Sequence, residues 1–143
     1  PKAFPFTKPK VDGLNFSFSG LKTQILYFVQ KNVALNPNFI EENKADICAS
    51  IQYTIINILM DKLKLAVAET GINQIAIGGG VSANSGIRTT LKEAEQKYGW
   101  KTYITKSEYT TDNAAMIGIV GYYNFLEENF SENDVVTKAR IEF

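Results

Sequence analysis

The sequence predicts an α/β fold in which a parallel strand pair is crossed by helices. Three observations carry that prediction. From residue 44 onward the apolar spacing alternates between the 3.6-residue period of helices and short continuous runs, in the order α-β-α-β-α. The two runs that read as strands are separated by a helix-length segment, which parallel pairing requires as a crossover. A glycine-rich junction joins the first of them to its helix.

Taken in order, Leu14, Phe16 and Phe18 alternate with Asn15, Ser17 and Ser19, the pattern of a half-buried strand. Ser19 then stands where it can cap a helix whose apolar face is Leu21, Ile25, Phe28 and Val29. Asn36-Pro37-Asn38 ends that helix, because proline lacks an N–H and steers its predecessor away from helical dihedrals. From about Lys44 to Thr70, Ile47, Ile51, Ile55, Ile58, Leu59, Leu63, Ala66 and Val67 predict the longest helix, an isoleucine-rich face for covering a sheet, with Gly71 as its left-handed stop. Gln74 to Ile77 reads as a central strand buried on both sides. Ile87, Leu91, Ala94 and Tyr98 mark a helix ending at Gly99, Lys101 to Thr105 a second strand, and Asp112 to Leu126 a last helix with Met116, Ile119, Val120 and Tyr123 on one face. The tail from Glu127 is charged and turn-rich as far as Val135-Val136, and the chain holds no internal repeat.

Composition narrows the function classes. A chain of 143 residues that is 45% hydrophobic can bury one ordinary core. Lysine plus arginine and aspartate plus glutamate are both 15, so no domain-wide field attracts phosphate polymers or anionic lipid. A single cysteine, Cys48, excludes an internal disulfide and reads as a small buried residue. With no signal segment and no apolar run of about 20 residues, a reducing cytoplasm is the expected compartment and no membrane is expected as a partner. Histidine is absent, which removes Ser-His and Cys-His nucleophile pairs and His-based metal sites from this chain alone. A chain that opens at Pro1 without methionine is expected to be a piece of something larger. The plentiful tyrosines and phenylalanines fall on helix faces or strand alternation and are expected in the core.

Two stretches carry chemistry. Gly78-Gly79-Gly80-Val81-Ser82-Ala83-Asn84, between strand and helix, offers bare backbone N–H groups and a helix start to an anion or nucleotide. Thr111-Asp112-Asn113 opens the next helix with a carboxylate, and both stretches are expected on the rim where strand C-termini meet helix N-termini. Each has a plainer reading. The glycines can form a tight turn, Asn84 can cap its helix, and Asp112 with Thr110 and Thr111 can satisfy free N–H groups. Ser17, Ser19, Lys22 and Thr23 can contact phosphate or simply edge a strand and cap a helix. Gly78, Gly80 and Ala83 also fit a dinucleotide fingerprint, yet the acidic residue expected about 20 positions on is replaced by Thr105. A dinucleotide-dependent oxidoreductase domain and a non-catalytic interaction module therefore stand as the alternatives.

Three strings carry a resemblance: Phe16-Ser17-Phe18-Ser19-Gly20-Leu21-Lys22-Thr23, Gly79-Gly80-Val81-Ser82-Ala83-Asn84 and Thr111-Asp112-Asn113-Ala114-Ala115-Met116. In this order they resemble the C-terminal half of the TsaD family, the bacterial tRNA adenosine threonylcarbamoyltransferases once called glycoproteases. The likeness runs from about Phe4 to Tyr123. It implies the second lobe of an actin-like, sugar-kinase-like (ASKHA) ATPase fold, a ribonuclease H-like sheet with covering helices, over residues 1–126, followed by a C-terminal tail at 127–143. It also implies a transferase of tRNA processing, moving a threonylcarbamoyl group from threonylcarbamoyl-adenylate to N6 of adenosine 37 (t6A) in tRNAs that read codons starting with A. On this resemblance Gly79, Gly80 and Asn84 bind the adenylate and Asp112 is a ligand of one divalent metal ion, Fe2+ or Zn2+, whose histidine ligands lie in the other lobe. The expected partners are tRNA and the TsaB and TsaE proteins. The isolated piece is expected to be inert and prone to self-association. Thr110, where the family usually has cysteine, and Gly78, where a small residue such as alanine is usual, depart from the pattern.

Overall fold

The protein is described by a computed structural model covering residues 3–132, 134 and 136. Four helices, α1 (Ser19–Leu35), α2 (Phe39–Thr70), α3 (Ser85–Tyr98) and α4 (Ala114–Leu126), accompany two strands, β1 (Gln74–Ile77) and β2 (Lys101–Ile104). The strands pair in parallel, from Gln74 opposite Lys101 to Ile77 opposite Ile104, with α3 as the crossover. The predicted α/β class and its alternation from α2 onward are therefore observed. The expected tail falls largely outside the described residues, Val135 included.

The core lies on one face of this sheet. Met60 of α2, Leu91 and Ala94 of α3, Ile75 of β1 and Trp100 are buried together, with Ile56, Leu63, Val67, Ile77, Ile87 and Ile104 packed around them. Because α2 and α3 share that face, Gln74, Ala76, Lys101 and Tyr103 on the other remain exposed. β1 is thus not the central, doubly buried strand that its apolar run predicts. Gly71 (φ +70°) and Gly99 (φ +68°) end α2 and α3 in the left-handed conformation, as expected of glycine after a helix.

Helix α2 starts at Phe39, ahead of the predicted Lys44. Glu41 and Glu42 in its first turn are stabilised by the positive end of the helix dipole, and the Asn36 side chain donates to Glu42 (2.8 Å) while accepting from the Asn38 N–H (3.0 Å). At 32 residues the helix is about 48 Å long, whereas four-residue strands span about 13 Å. It therefore overshoots the sheet. Its first half lies along α1 and the leading segment, where the Ser50 hydroxyl accepts from the Phe4 N–H (3.1 Å) and Phe4, Phe28 and Phe39 form a ring cluster at 5.0, 5.8 and 5.7 Å. On α1, Leu21 is buried and Ile25, Phe28 and Val29 are partly covered, the face that the spacing predicts.

Three expectations fail here, the strand and the aromatic burial for lack of a partner surface. Residues 14–18 form no strand: the two-stranded sheet takes no third member, and Phe16 and Phe18 stack on each other (6.3 Å, 7° between planes) while about half exposed. Ser19 does not cap α1; its hydroxyl lies 3.3 Å from that of Ser17, and the cap position is Phe18. Tyr27, Tyr53, Tyr98, Tyr103, Tyr109, Tyr122 and Tyr123 are exposed, as are Phe16, Phe18, Phe125 and Phe130; among the described residues Trp100 is the one buried aromatic, and Phe4, Phe6, Phe28 and Phe39 are half-buried. Helix α4 buries no residue; Met116, Ile119, Val120 and Tyr123 do share a face, but it is uncovered. No helix among the described residues is long and apolar enough to cross a membrane.

Candidate functional site

Parallel pairing starts both flagged loops from one rim, since β1 and β2 end side by side at Ile77 and Ile104. Beyond Ile77 the chain enters Gly79 at φ +79°, ψ 170°, a conformation that is almost exclusively glycine's. A single 3-10 turn, Gly80–Ala83, follows. It is closed by the Ser82 N–H (3.0 Å) and hydroxyl (2.7 Å), both donating to the Gly79 carbonyl, and Ser82 is buried. No atom lies within 4 Å of where a Cβ would stand on Gly78, Gly79 or Gly80. The N–H groups of Gly79 and Gly80 have no partner among the described residues. The run thus presents bare, unpaired backbone to open space, as an anion cradle requires.

Asn84 caps α3. Its Oδ1 accepts from the Ile87 N–H (3.1 Å) and its Nδ2 donates to Gln52 Oε1 on α2 (3.1 Å), so the plainer reading of this residue is realised. One amide hydrogen of Asn84 is left over. A cavity of about 310 Å³ opens beside it, lined among others by Cys48, Gln52, Ile55, Val81 and Ile87. Cys48 is exposed and borders this cavity, contrary to its expected burial, because it sits off the covered face of α2 that Ile47 and Ser50 occupy.

The second loop begins with Thr105, whose hydroxyl donates to the Ile77 carbonyl (2.9 Å) across the strand ends. Thr110 is buried and anchors the following turn by donating to the Ser107 carbonyl (2.8 Å). Asn113, not Asp112, caps α4: its Oδ1 accepts from the Met116 N–H at 3.1 Å, and its Nδ2 donates to the Thr111 carbonyl at 2.8 Å. Capping is therefore taken from Asp112, which is exposed and pairs with nothing among the described residues. No three histidine, cysteine, aspartate or glutamate side chains cluster among those residues. Asp112 fits a metal as one ligand of a set and no more, since a single carboxylate does not hold a transition metal tightly.

Arg88 ties the two loops together. Its Nε donates to the Ser82 carbonyl and its Nη2 to the Thr105 carbonyl, both at 2.7 Å, one planar group spanning the glycine turn and the start of the second loop. Sequence reasoning passed over it. The one signal was its charge, because a cation in the first turns of a helix opposes the dipole and calls for a compensating contact. By contrast Ser17, Ser19, Lys22 and Thr23 gather no site: Thr23 donates back to the Ser19 carbonyl (3.2 Å) within its own helix, and Lys22 is exposed.

These features define an α/β domain of the class that presents a glycine turn and a helix start at the C-terminal rim of parallel strands. Residues 2–119 match the TsaD family, described as tRNA N6-adenosine threonylcarbamoyltransferase, and the chain belongs to that family. It is 66% identical over 143 residues to the tRNA N6-adenosine threonylcarbamoyltransferase of Christiangramia forsetii, covering 100% of this chain and 42% of that protein. The like-named proteins of Cytophaga hutchinsonii and Porphyromonas gingivalis are each 50% identical over 141 residues, covering 99% of this chain and 41% of theirs. The chain thus spans about two fifths of the length of these curated relatives.

Proposed function

We propose that this chain is the second lobe of a tRNA N6-adenosine threonylcarbamoyltransferase with the ASKHA fold. In this reading it gives Gly79, Gly80 and Asn84 to threonylcarbamoyl-adenylate and Asp112 to a divalent metal, Fe2+ or Zn2+, whose other ligands are histidines outside it. The observation that carries the reading is the Arg88 bridge, which supports a single pocket by tying the glycine turn to Thr105, where the loop that leads to Asp112 begins. Family membership favours this reading over a dinucleotide-dependent oxidoreductase.

The reaction is an acyl transfer. The N6 amine of adenosine attacks the carbamoyl carbon, a C–N bond forms, the C–O bond to the adenylate phosphate breaks, and the amine loses a proton. Charge grows on the departing phosphate. The free N–H groups of Gly79 and Gly80, together with the start of α3, can hold that charge as it develops. The spare amide hydrogen of Asn84 orients the nucleoside end. A bound metal would supply Lewis-acid polarisation of a substrate oxygen, with Asp112 as the ligand from this chain. The partners in this reading are tRNA, TsaB and TsaE, and the compartment is the cytoplasm. With zero net charge here, the basic surface for tRNA belongs to the rest of the protein or to a partner.

The test uses the full-length protein given threonylcarbamoyl-adenylate and tRNA, with the modified nucleoside read by mass spectrometry. Asn84→Ala and Asp112→Ala are expected to lose most of the activity, and this chain alone is expected to show none. Wild-type rates in both variants would refute the site, and modification by the isolated chain would refute the division of labour.

A further inference from the structure

We infer that Gln52, on α2, is a positioning residue that fixes the orientation of the Asn84 amide. This rests on the reading of Asn84 as an adenylate contact. The hydrogen bonds permit one arrangement. The Ile87 N–H can only donate, so the Asn84 atom facing it is the oxygen, and the amide nitrogen must point at Gln52. Gln52 answers with its own oxygen at 3.1 Å. Its nitrogen then falls beside Gly86, where a Cβ would stand 3.0 Å from Nε2, 2.7 Å from Ile56 Cδ1 and 3.2 Å from Asn84 Oδ1. Gln52, an exposed residue, thereby lies against both the cap residue and the bare backbone of the first turn of α3. Both Gln52 and Asn84 border the cavity beside the glycine turn.

The consequence is directional. An asparagine that only capped a helix would need no second partner. Here the nitrogen end is held as well, so one hydrogen is spent on Gln52 and the other is presented in a fixed direction. Without Gln52 the oxygen still caps α3, but the nitrogen end swings, and a ligand must immobilise it on binding.

Two measurements on the full-length protein test this. In the first, the Asn84 side-chain amide resonances, identified by their loss in Asn84→Ala, are followed by 15N-edited NMR without ligand. Gln52→Leu, which removes the acceptor, is expected to shift and broaden them, while Gln52→Glu, which keeps an acceptor oxygen, leaves them near wild type. Resonances that ignore Gln52→Leu would overturn the inference and leave the reading of Asn84 intact. In the second, a non-hydrolysable threonylcarbamoyl-adenylate analogue is titrated calorimetrically through a double-mutant cycle. Gln52→Leu should weaken binding about tenfold in the wild-type background and hardly at all in Asn84→Ala. Equal weakening in both backgrounds would show that Gln52 acts without Asn84 and would also overturn the inference. An Asn84→Ala protein that binds the analogue like wild type, with the resonance shift still present, would instead remove the site reading on which the functional consequence depends.

Discussion

Two glycines that look alike in the sequence differ in what they do. At Gly79 the backbone is left-handed (φ +79°), whereas Gly78 has an ordinary φ and open space around its missing Cβ. Gly79→Ala is therefore expected to cost about 1–3 kcal/mol, seen in denaturant melts, and Gly78→Ala to be neutral or stabilising by up to about 1 kcal/mol. A second residue with a definite signature is Glu95. Its carboxylate accepts from the Thr102 hydroxyl, from Lys92 Nζ (2.9 Å) and from the Thr102 N–H (3.0 Å), and these bonds lower its pKa to about 2. The folded state holds that proton less tightly than the unfolded chain. The stabilisation is thus complete above the unfolded value of about 4.5 and is lost as the pH falls toward about 2. Glu95→Gln is expected to flatten the acid limb of a stability-versus-pH curve over that window and leave it unchanged in relative shape at neutral pH. Neither Glu95 nor Arg88 was legible in the sequence, because each acts on backbone groups 6 to 17 positions away, a relation that the fold and not the local sequence creates. The turn at Gly79 and the cap at Asn84 were legible, since a glycine turn and a helix start are local matters, whereas the cap of α4 read at Asp112 falls to Asn113.

At the scale of elements, periodicity found all four α-helices of the described residues and both paired strands but neither 3-10 turn, and glycine marked two helix ends. It misplaced the start of α2, where the decisive contacts run between Asn36, Asn38 and Glu42 and leave no apolar rhythm. It also promoted residues 14–18 to a strand, because alternation reports that two sides differ and not that a neighbour exists to receive hydrogen bonds. The joint between α2 and α3 was invisible beforehand. Its closest approach is at Gly86, where a Cβ would stand 2.7 Å from Ile56 Cδ1, the mobile end of that side chain. Gly86→Ala is expected to lower the melting temperature by forcing the Ile56 side chain out of its packed rotamer, and Ile56→Val, by removing that methyl, to restore part of the loss. If the double variant melts no higher than Gly86→Ala, the helix contact is not what requires glycine there.

Over the whole molecule, much apolar surface is uncovered. One face of the sheet, the apolar flank of α4 with Ile117 at 77% and Phe125 at 65% exposure, and the Phe16–Phe18 stack all lie open. Apolar surface on this scale is rarely left to water in a finished protein. It accords with a chain that spans about two fifths of its relatives' length, and it makes concentration-dependent self-association of the isolated chain the expected result in sedimentation velocity. The central claim is that the glycine turn and the loop bearing Asp112 form parts of one pocket. Hydrogen exchange of the full-length protein, with and without a non-hydrolysable threonylcarbamoyl-adenylate analogue, tests it most directly. The account predicts that peptides covering residues 78–88 and 105–113 gain protection together at one ligand concentration. Protection of either segment alone, or of neither, would contradict it.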